Sequence, residues 1–327
     1  MNKTHKIAVV GATGMVGLMM IKVLEEFGIK GKFYLFASER SAGKTLPVYG
    51  KEHKVILLNE KNVRRAKPDF ALFSAGGEIS KQWAPVFADA GCVVIDNSSA
   101  FRRDPKIPLI VPEANGTTLS LRGGESRRGN LNIISNPNCT TIGAVVALKP
   151  LDDAFKIKRV IYSTYQAMSG AGTKAVELYK ARDRLHFNNL IPQIDEFTEN
   201  GNTKEEEKMI NETRKILARP DLAVTATCVR IPIENCHSMS INLAFEKPAT
   251  PDQVRAVLAA APGIVIIDDP AAKKYPMPIL ADNRDQVFVG RIRTDESAPN
   301  SVNLFLVLDN IRKGAATNAV QILKLLI

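Results

Sequence analysis

Aromatic side chains are scarce in this chain: one tryptophan, six tyrosines and thirteen phenylalanines among 327 residues. They do not interleave with the basic residues, so the pattern of a nucleic-acid binder is missing. Cysteine is scarcer still. Cys92, Cys139, Cys228 and Cys236 are too few for a disulfide framework in a chain of this length, and a reducing cytoplasm is the expected setting. No apolar run reaches the roughly 20 residues of a membrane span. The opening Met1-Asn2-Lys3-Thr4-His5-Lys6 runs straight into an apolar strand, so no secretory leader is expected. Acidic residues are outnumbered, 34 against 44 Lys and Arg, for a formal net charge of +10. The basic residues are scattered, and the densest cluster, Arg122, Arg127 and Arg128, lies in a Gly-rich loop (122–129) expected to be exposed and given no role. Such a field suits small anions, phosphates and carboxylates, and no nucleic acid or membrane partner is expected.

What is present is an alternation of short apolar runs with helical stretches. Residues 7–10, 33–36, 70–73 and 93–95 predict buried parallel strands, and 81–89 a helix between the last two. That order indicates an α/β, Rossmann-type doubly wound nucleotide-binding domain. After Cys139 the texture changes. Residues 159–165, 223–231, 239–245, 287–292 and 302–308 alternate like half-buried strands, with helices expected at 174–185, 204–217 and 251–260. This predicts an α+β second domain on a mixed sheet that could also serve as a subunit interface. The expected boundaries are 1–138 for the nucleotide domain, completed by the C-terminal helix 310–327, and 139–309 for the catalytic and dimerisation domain.

Chemistry concentrates in a few segments. Gly11-Ala12-Thr13-Gly14-Met15-Val16-Gly17 forms a glycine loop after the first strand and opens a helix, where a pyrophosphate can approach the backbone. Ser38, Arg40 and Ser41 follow the second strand and suit a 2′-phosphate, so NADP is favoured, although Glu39 between them is the acidic group an NAD site would use. Ser74, Ala75 and Gly76 sit at another strand's end, either against a cofactor or as an N-cap and turn. Arg102 falls on the carboxyl-end side of the sheet, where a guanidinium suits a phosphate or carboxylate. Ser135-Asn136-Pro137-Asn138-Cys139-Thr140-Thr141 places a thiol at the first turn of a helix, where unpaired N–H groups favour a thiolate. His237 begins a strand whose alternate residues Met239, Ile241, Leu243 and Phe245 face inward. It is placed to shuttle protons, whereas His5, His53 and His186 have no comparable setting. Arg230 ends the preceding strand, and the turn through Pro232 is expected to bring it near His237.

These segments, GATGMVG (11–17), SAGGEIS (74–80), VIDNSSAFR (94–102), SNPNCTT (135–141), YQAMSGAG (165–172), RIPIENCHS (230–238) and DNIRKGAATNAVQ (309–321), resemble the bacterial aspartate-semialdehyde dehydrogenases from end to end. The resemblance implies that L-aspartate 4-semialdehyde, phosphate and NADP+ interconvert with 4-aspartyl phosphate and NADPH. The physiological direction is reduction, supplying lysine, threonine, methionine and diaminopimelate. It implies Cys139 as nucleophile and His237 and Gln166 as its catalytic partners. Arg230 would anchor the substrate carboxylate, Gln166 would orient the substrate and Glu205 would meet its amino group. Arg102 and Lys208 would hold phosphate, and Ser169, Gly170 and Asn310 would contact the cofactor. No metal is expected, and a homodimer or dimer of dimers is. The thiol suits such a route because it is both a good nucleophile and a good leaving group. Cys236, beside His237, is a second thiol that could confuse alkylation experiments. Arg291 and Arg293 could serve a partner subunit or a substrate anion.

The enzyme rivals are an N-acetyl-gamma-glutamyl-phosphate reductase and a phosphorylating glyceraldehyde-type dehydrogenase. A rival of another class is a non-catalytic binding protein that keeps the nucleotide fold. The set Cys139, Gln166, Arg230 and His237 argues against the last.

Overall fold

The computed structural model describes residues 4–122 and 132–327, so positions 123–129 of the Gly-rich loop, with Arg127 and Arg128, lie outside the described residues. The chain divides into two compact units, Met1–Pro137 with Ala315–Ile327, and Asn138–Gly314. Among the described residues no helix is long and apolar enough to cross a membrane.

The first unit runs β1 (Lys6–Val10), α1 (Met15–Glu26), β2 (Lys32–Ala37), β3 (Thr45–Val48), β4 (Lys51–Leu57), α2 (Glu60–Ala66), β5 (Phe70–Phe73), α3 (Gly77–Asp89), β6 (Val93–Asp96), α4 (Pro112–Asn115), α5 (Thr117–Arg122) and β7 (Ile133–Ser135). The sheet order is β3-β4-β2-β1-β5-β6-β7. Every pairing is parallel except β3 with β4. Side chains alternate across a strand, so one sheet sorts two cores. Ile7, Val9, Leu35 and Leu72 pack with Met20, Val23 and Leu24 of α1 and with Ala319, Val320 and Leu323 of the C-terminal helix (Thr317–Lys324). Ala8, Val10, Phe36, Ala71 and Phe73 face the other way, onto Ala84 and Phe87 of α3. Burial on both faces is why these strands are short continuous apolar runs.

The β3–β4 hairpin is not evident in the sequence. Its strands are polar and half-exposed, and Pro47 lies in the edge strand, where a missing N–H costs no pairing inside the sheet. Its two-residue turn is Tyr49 (φ 50°) and Gly50 (φ 70°), a positive-φ pair of the kind that matches strand twist.

The second unit contains α6 (Cys139–Phe155), β8 (Ile157–Gln166), α7 (Thr173–Lys180), α8 (Lys204–Ile216), β9 (Ala223–Arg230), β10 (His237–Phe245), α9 (Pro251–Ala260), β11 (Ile264–Ile266), α10 (Pro278–Ala281), β12 (Val287–Thr294) and β13 (Ser301–Leu308). Its mixed sheet has the order β11-β12-β13-β10-β8-β9. Helix α6 is buried from Thr140 to Leu148 and lies close against β13. A Cβ on Gly143 would stand 2.7 Å from Leu308 Cδ2, so the absent side chain permits that approach. Helix α8 opens with a capping box, Thr203 and Glu206 bonding each other's backbone N–H groups, an arrangement whose cap is worth about 1 kcal/mol.

One expectation needs correction. The helix expected over 174–185 stops at Lys180, because the chain turns at Ala181 and Arg182 takes a left-handed φ of 56°. Strand β8 lies between β9 and β10 in the sheet, yet the expected approach of Arg230 to His237 is present, both side chains flanking Gly170.

Candidate active site

In the first unit the glycine loop is a cradle built by contact. Gly11 has φ 81°, and a Cβ there would meet the Ser74 carbonyl oxygen at 2.5 Å. A Cβ on Gly17 would reach the Gly11 carbonyl oxygen at 2.2 Å, so α1 can lie close to the turn only because Gly17 has none. Gly14 is different: its Cβ would sit 3.4 Å from that oxygen, ordinary contact, so the fold itself does not demand glycine there. Gly14 is also the N-cap of α1 and supplies no side-chain hydrogen bond. The first-turn N–H groups are therefore available to an anion, and the open cradle fits a pyrophosphate. Ala12 is buried, while Thr13, Met15 and Val16 are half-buried. Ser74 and Ala75 follow β5 beside Gly11, and Gly76 caps α3. Ser38 and Arg40 are exposed and Ser41 half-buried just beyond β2, where Ser41 and Ala42 N–H both donate to the Ser38 carbonyl.

Arg102 is buried, and its guanidinium is already engaged. Nε donates to the Asn136 carbonyl and Nη2 to the Asn97 carbonyl, each at 2.9 Å. Asn136 in turn donates to Asn97 Oδ1 at 2.6 Å and accepts from Asn318 Nδ2 at 2.7 Å. This ties the loop after β6 to the segment that leads toward Cys139.

In the second unit three adjacent strands present functional side chains at one end of the sheet. Arg230 on β9 pairs in register with Gln166 on β8. Ser238 on β10 pairs with Tyr165, which sets His237 at the same level. His237 meets Cys139 at the first position of α6, and the Arg230 charge is close enough to interact with that thiol. Cys139 Sγ lies 3.2 Å from His237 Nε2. The Ala167 N–H donates to His237 Nδ1 at 3.1 Å. A neutral imidazole that accepts at Nδ1 carries its proton on Nε2, so the ring faces the sulfur as a donor. Burial, and then the Arg230 charge, hold His237 well below the usual imidazole range. It is neutral at neutral pH.

Arg230 donates through Nη1 to the Ala167 carbonyl at 2.6 Å, and burial lowers its affinity for its proton. A Cβ on Gly170 would fall 2.8 Å from both Arg230 Nη1 and His237 Cε1. Glycine there keeps the guanidinium and imidazole in place. Ser169 and Asn310 sit together nearby, with Asn310 Nδ2 donating to Ser169 Oγ at 2.9 Å and the Cys236 N–H donating to Asn310 Oδ1 at 2.9 Å.

Glu205 is buried and accepts from three donors: Asn138 Nδ2 at 2.8 Å, Gln166 Nε2 at 3.2 Å and Lys208 Nζ at 3.1 Å. Lys208 is shared with Asp195 at 2.9 Å, and these two carboxylates outweigh burial and raise its proton affinity. The residue that organises this cluster, Asn138, is not singled out in the sequence. It is the N-cap of α6, accepting from the Thr140 and Thr141 N–H groups at 3.0 and 3.1 Å. An Asn immediately before a helix was the available signal.

The other thiols differ from Cys139. All three are buried. Burial pushes Cys228 up to about 12, and it raises Cys92 and Cys236 as well. Cys236, Asp282 and Asp309 place ligand-type atoms within 4.8 Å of one another. Asp309 oxygens accept from the N–H groups of Ile311, Arg312 and Asn283 and from Asn235 Nδ2, as a loop clasp would. Arg291 and Arg293 border an open hollow of about 360 Å³ with Tyr275, Met277 and Phe305.

A doubly wound unit with an open glycine cradle, and a mixed-sheet unit carrying a thiol–imidazole pair, define the class: dehydrogenases acting on an aldehyde-level carbon. The model for the NAD binding domain of semialdehyde dehydrogenases matches residues 6–121, and that for their dimerisation domain matches residues 148–313. An aspartate-semialdehyde dehydrogenase from Aquifex aeolicus is 50% identical over 340 residues, covering 99% of this chain and 98% of that protein. The crystal structure of aspartate semialdehyde dehydrogenase II from Vibrio cholerae is 42% identical, with a TM-score of 0.92 over 99% of this chain and 98% of that one. The same enzyme complexed with ASA matches at 41% identity and a TM-score of 0.91, again over 99% and 98%. The Candida albicans enzyme with NADP matches at 26% identity and a TM-score of 0.79 over 99% and 98%. The chain belongs to the aspartate-semialdehyde dehydrogenase family, oxidoreductases of the phosphorylating aldehyde dehydrogenase type.

Proposed function

We propose that this chain interconverts L-4-aspartyl phosphate and NADPH with L-aspartate 4-semialdehyde, phosphate and NADP+, through an acyl thioester on Cys139. In the reductive direction it supplies lysine, threonine, methionine and diaminopimelate synthesis. The observation that carries this reading is the 3.2 Å contact of Cys139 Sγ with a buried, neutral His237, in a chain half identical to a named family member.

Cys139 Sγ attacks the acyl carbonyl as the thiolate, its proton having passed to solvent; the C–O bond to phosphate breaks, and the phosphate leaves and takes up the one proton that the reduction consumes from solvent. NADPH, when bound, supplies the hydride that reduces the thioester, and residues Gly11–Gly17, Ser38, Arg40, Ser41 and Ser74–Gly76 of the first unit would hold it. Ser169, Gly170 and Asn310 are the second-unit residues assigned to the same cofactor. His237 Nε2–H stands beside the sulfur, where it stabilises the thiolate and hydrogen-bonds the hemithioacetal oxygen. Collapse of the hemithioacetal returns the electron pair to sulfur and frees the aldehyde. Gln166 orients the acyl group, Arg230 receives the α-carboxylate by paired hydrogen bonds, and Glu205 receives the ammonium. Arg102 and Lys208 are the phosphate cations. The ties of Arg102 to backbone and of Lys208 to Asp195 mean that phosphate must share or displace those partners.

A homodimer through the second unit is supported by the dimerisation-domain match and by exposed Tyr165, Tyr275 and Met277 on that unit. Four cysteines without a disulfide support a cytoplasmic setting.

The test is NADP+ reduction by purified protein with aspartate semialdehyde, with and without phosphate. Phosphate-dependent turnover is expected, with an aspartyl adduct on Cys139 in enzyme quenched mid-reaction. Turnover with N-acetylglutamate semialdehyde but not aspartate semialdehyde would overturn the substrate. An adduct elsewhere would overturn the route.

A further inference from the structure

We infer that Glu212 is a positioning residue for the nucleophile, holding the backbone amide that precedes Cys139. The inference rests on the reading of Cys139 given above. Asn138 has its side chain occupied at both ends, by Glu205 on one side and by the first-turn N–H groups of α6 on the other. Its own backbone N–H is not part of the helix ladder. It donates to Glu212 Oε2 at 2.6 Å. Both partners are buried, Asn138 at 6% and Glu212 at 4% exposure. A buried N–H without an acceptor is costly, and a carboxylate is a strong one. Glu212 therefore fixes where α6 begins.

Spacing explains why α8 can do this. Glu205 and Glu212 are seven residues apart, two helical turns, and share a face. Glu205 grips the Asn138 side chain and Glu212 its backbone, so the residue before the thiol is held at two points by one rigid helix. Cys139 follows directly, and its sulfur meets His237 from that fixed start.

Helix α8 is also held at points other than Glu212. Glu206 Oε1 accepts from the Cys228 N–H at 2.9 Å, Thr213 Oγ1 bonds Tyr162 OH at 3.1 Å, and the capping box closes the first turn. Loss of Glu212 should therefore free the Asn138 amide without unfastening the helix.

The test compares Glu212→Ala with Glu212→Gln in the full chain. Alanine removes the acceptor, whereas glutamine keeps an oxygen for the N–H. Glu212→Ala should lower kcat on the order of 10²-fold, the scale of an ångström-level misplacement, with KM for NADP+ unchanged. The pH profile of iodoacetamide alkylation at Cys139 should shift in the same variant, because the thiol–imidazole contact loosens. Glu212→Gln should restore both. Wild-type kcat in a folded Glu212→Ala protein, an unshifted alkylation profile, or a glutamine variant as impaired as alanine would each overturn the proposal. Should alanine prevent folding, Glu212→Asp, one methylene short of the amide, must show the same loss. Cys139→Ser assayed alongside separates the two readings: if it retains turnover the thiol route itself fails, whatever Glu212 does.

Discussion

The sulfur of Cys139 and Nε2 of His237, 98 residues apart in the chain, stand 3.2 Å apart, and the Ala167 N–H on the far side of the ring decides which nitrogen holds the proton. Nδ1 cannot carry a hydrogen while it faces that amide. A doubly protonated ring would have to break the Ala167 contact, and it would sit in a buried site that already holds the Arg230 cation. In the proposed cycle His237 is thus a hydrogen-bond donor to sulfur.

Replacing the proposed nucleophile tests that arrangement. Cys139→Ala should reduce turnover by on the order of 10⁴-fold or more, the scale seen when a covalent catalyst loses its attacking atom. NADP+ affinity, measured by fluorescence titration, should stay near wild type. Loss of cofactor binding instead would move Cys139 from chemistry to structure.

The state of His237 has a consequence for acid stability. Its imidazole ionises far less readily in the folded chain than the value of about 6.5 expected once unfolded. Below that pH the unfolded chain binds a proton that the folded chain refuses, so stability falls as pH drops through about 6.5. Urea midpoints at pH 8 and pH 5 should diverge more for the wild type than for His237→Gln. Equal divergence in the two proteins would count against a buried neutral imidazole.

The glycine loop separates steric from ligand demands. Gly17→Ala drives a Cβ to 2.2 Å from the Gly11 carbonyl oxygen and should lower the melting temperature and abolish NADP+ binding together. Gly14→Ala has room, at 3.4 Å, and should leave the melting temperature alone. If the α1 N-terminus receives the pyrophosphate, that variant still weakens NADP+, because the methyl intrudes on the ligand. Unchanged NADP+ affinity in Gly14→Ala would remove the pyrophosphate from that position.

Cofactor preference should reside in the loop after β2. Arg40→Ala should weaken NADP+ by about 10- to 100-fold, the range for a charged hydrogen bond, and leave NAD+ nearly unaffected. A ratio of the two dissociation constants that does not move would exclude Arg40 from the 2′-phosphate site.

Much of this site was legible in the chain because its parts carry local signatures. A thiol between an apolar strand and an apolar helix, glycines at a strand-to-helix turn, and a histidine opening an alternating strand each announce themselves within ten residues. Other parts were not. The β3–β4 hairpin hides in a polar edge, since edge strands need little apolar surface. Asn138 looks like an ordinary cap, Glu205 lies in a charge run and stands out only through the resemblance, and Glu212 looks like a solvated carboxylate on α8. Only burial shows that α8 turns these carboxylates inward.

The amino-acid sequence by itself determined the class of fold and the family, and singled out the thiol proposed as nucleophile. Periodicity, glycine placement and the run around Cys139 are properties of neighbouring residues, and local backbone sterics act on neighbours. The tertiary structure decided what depends on residues far apart in the chain. It interposed β8 between Arg230 and His237, fixed the imidazole tautomer through Ala167, and gave Lys208 two acidic partners. Hydrogen bonds and burial depend on distance in space, and strand order, which no local pattern encodes, sets those distances.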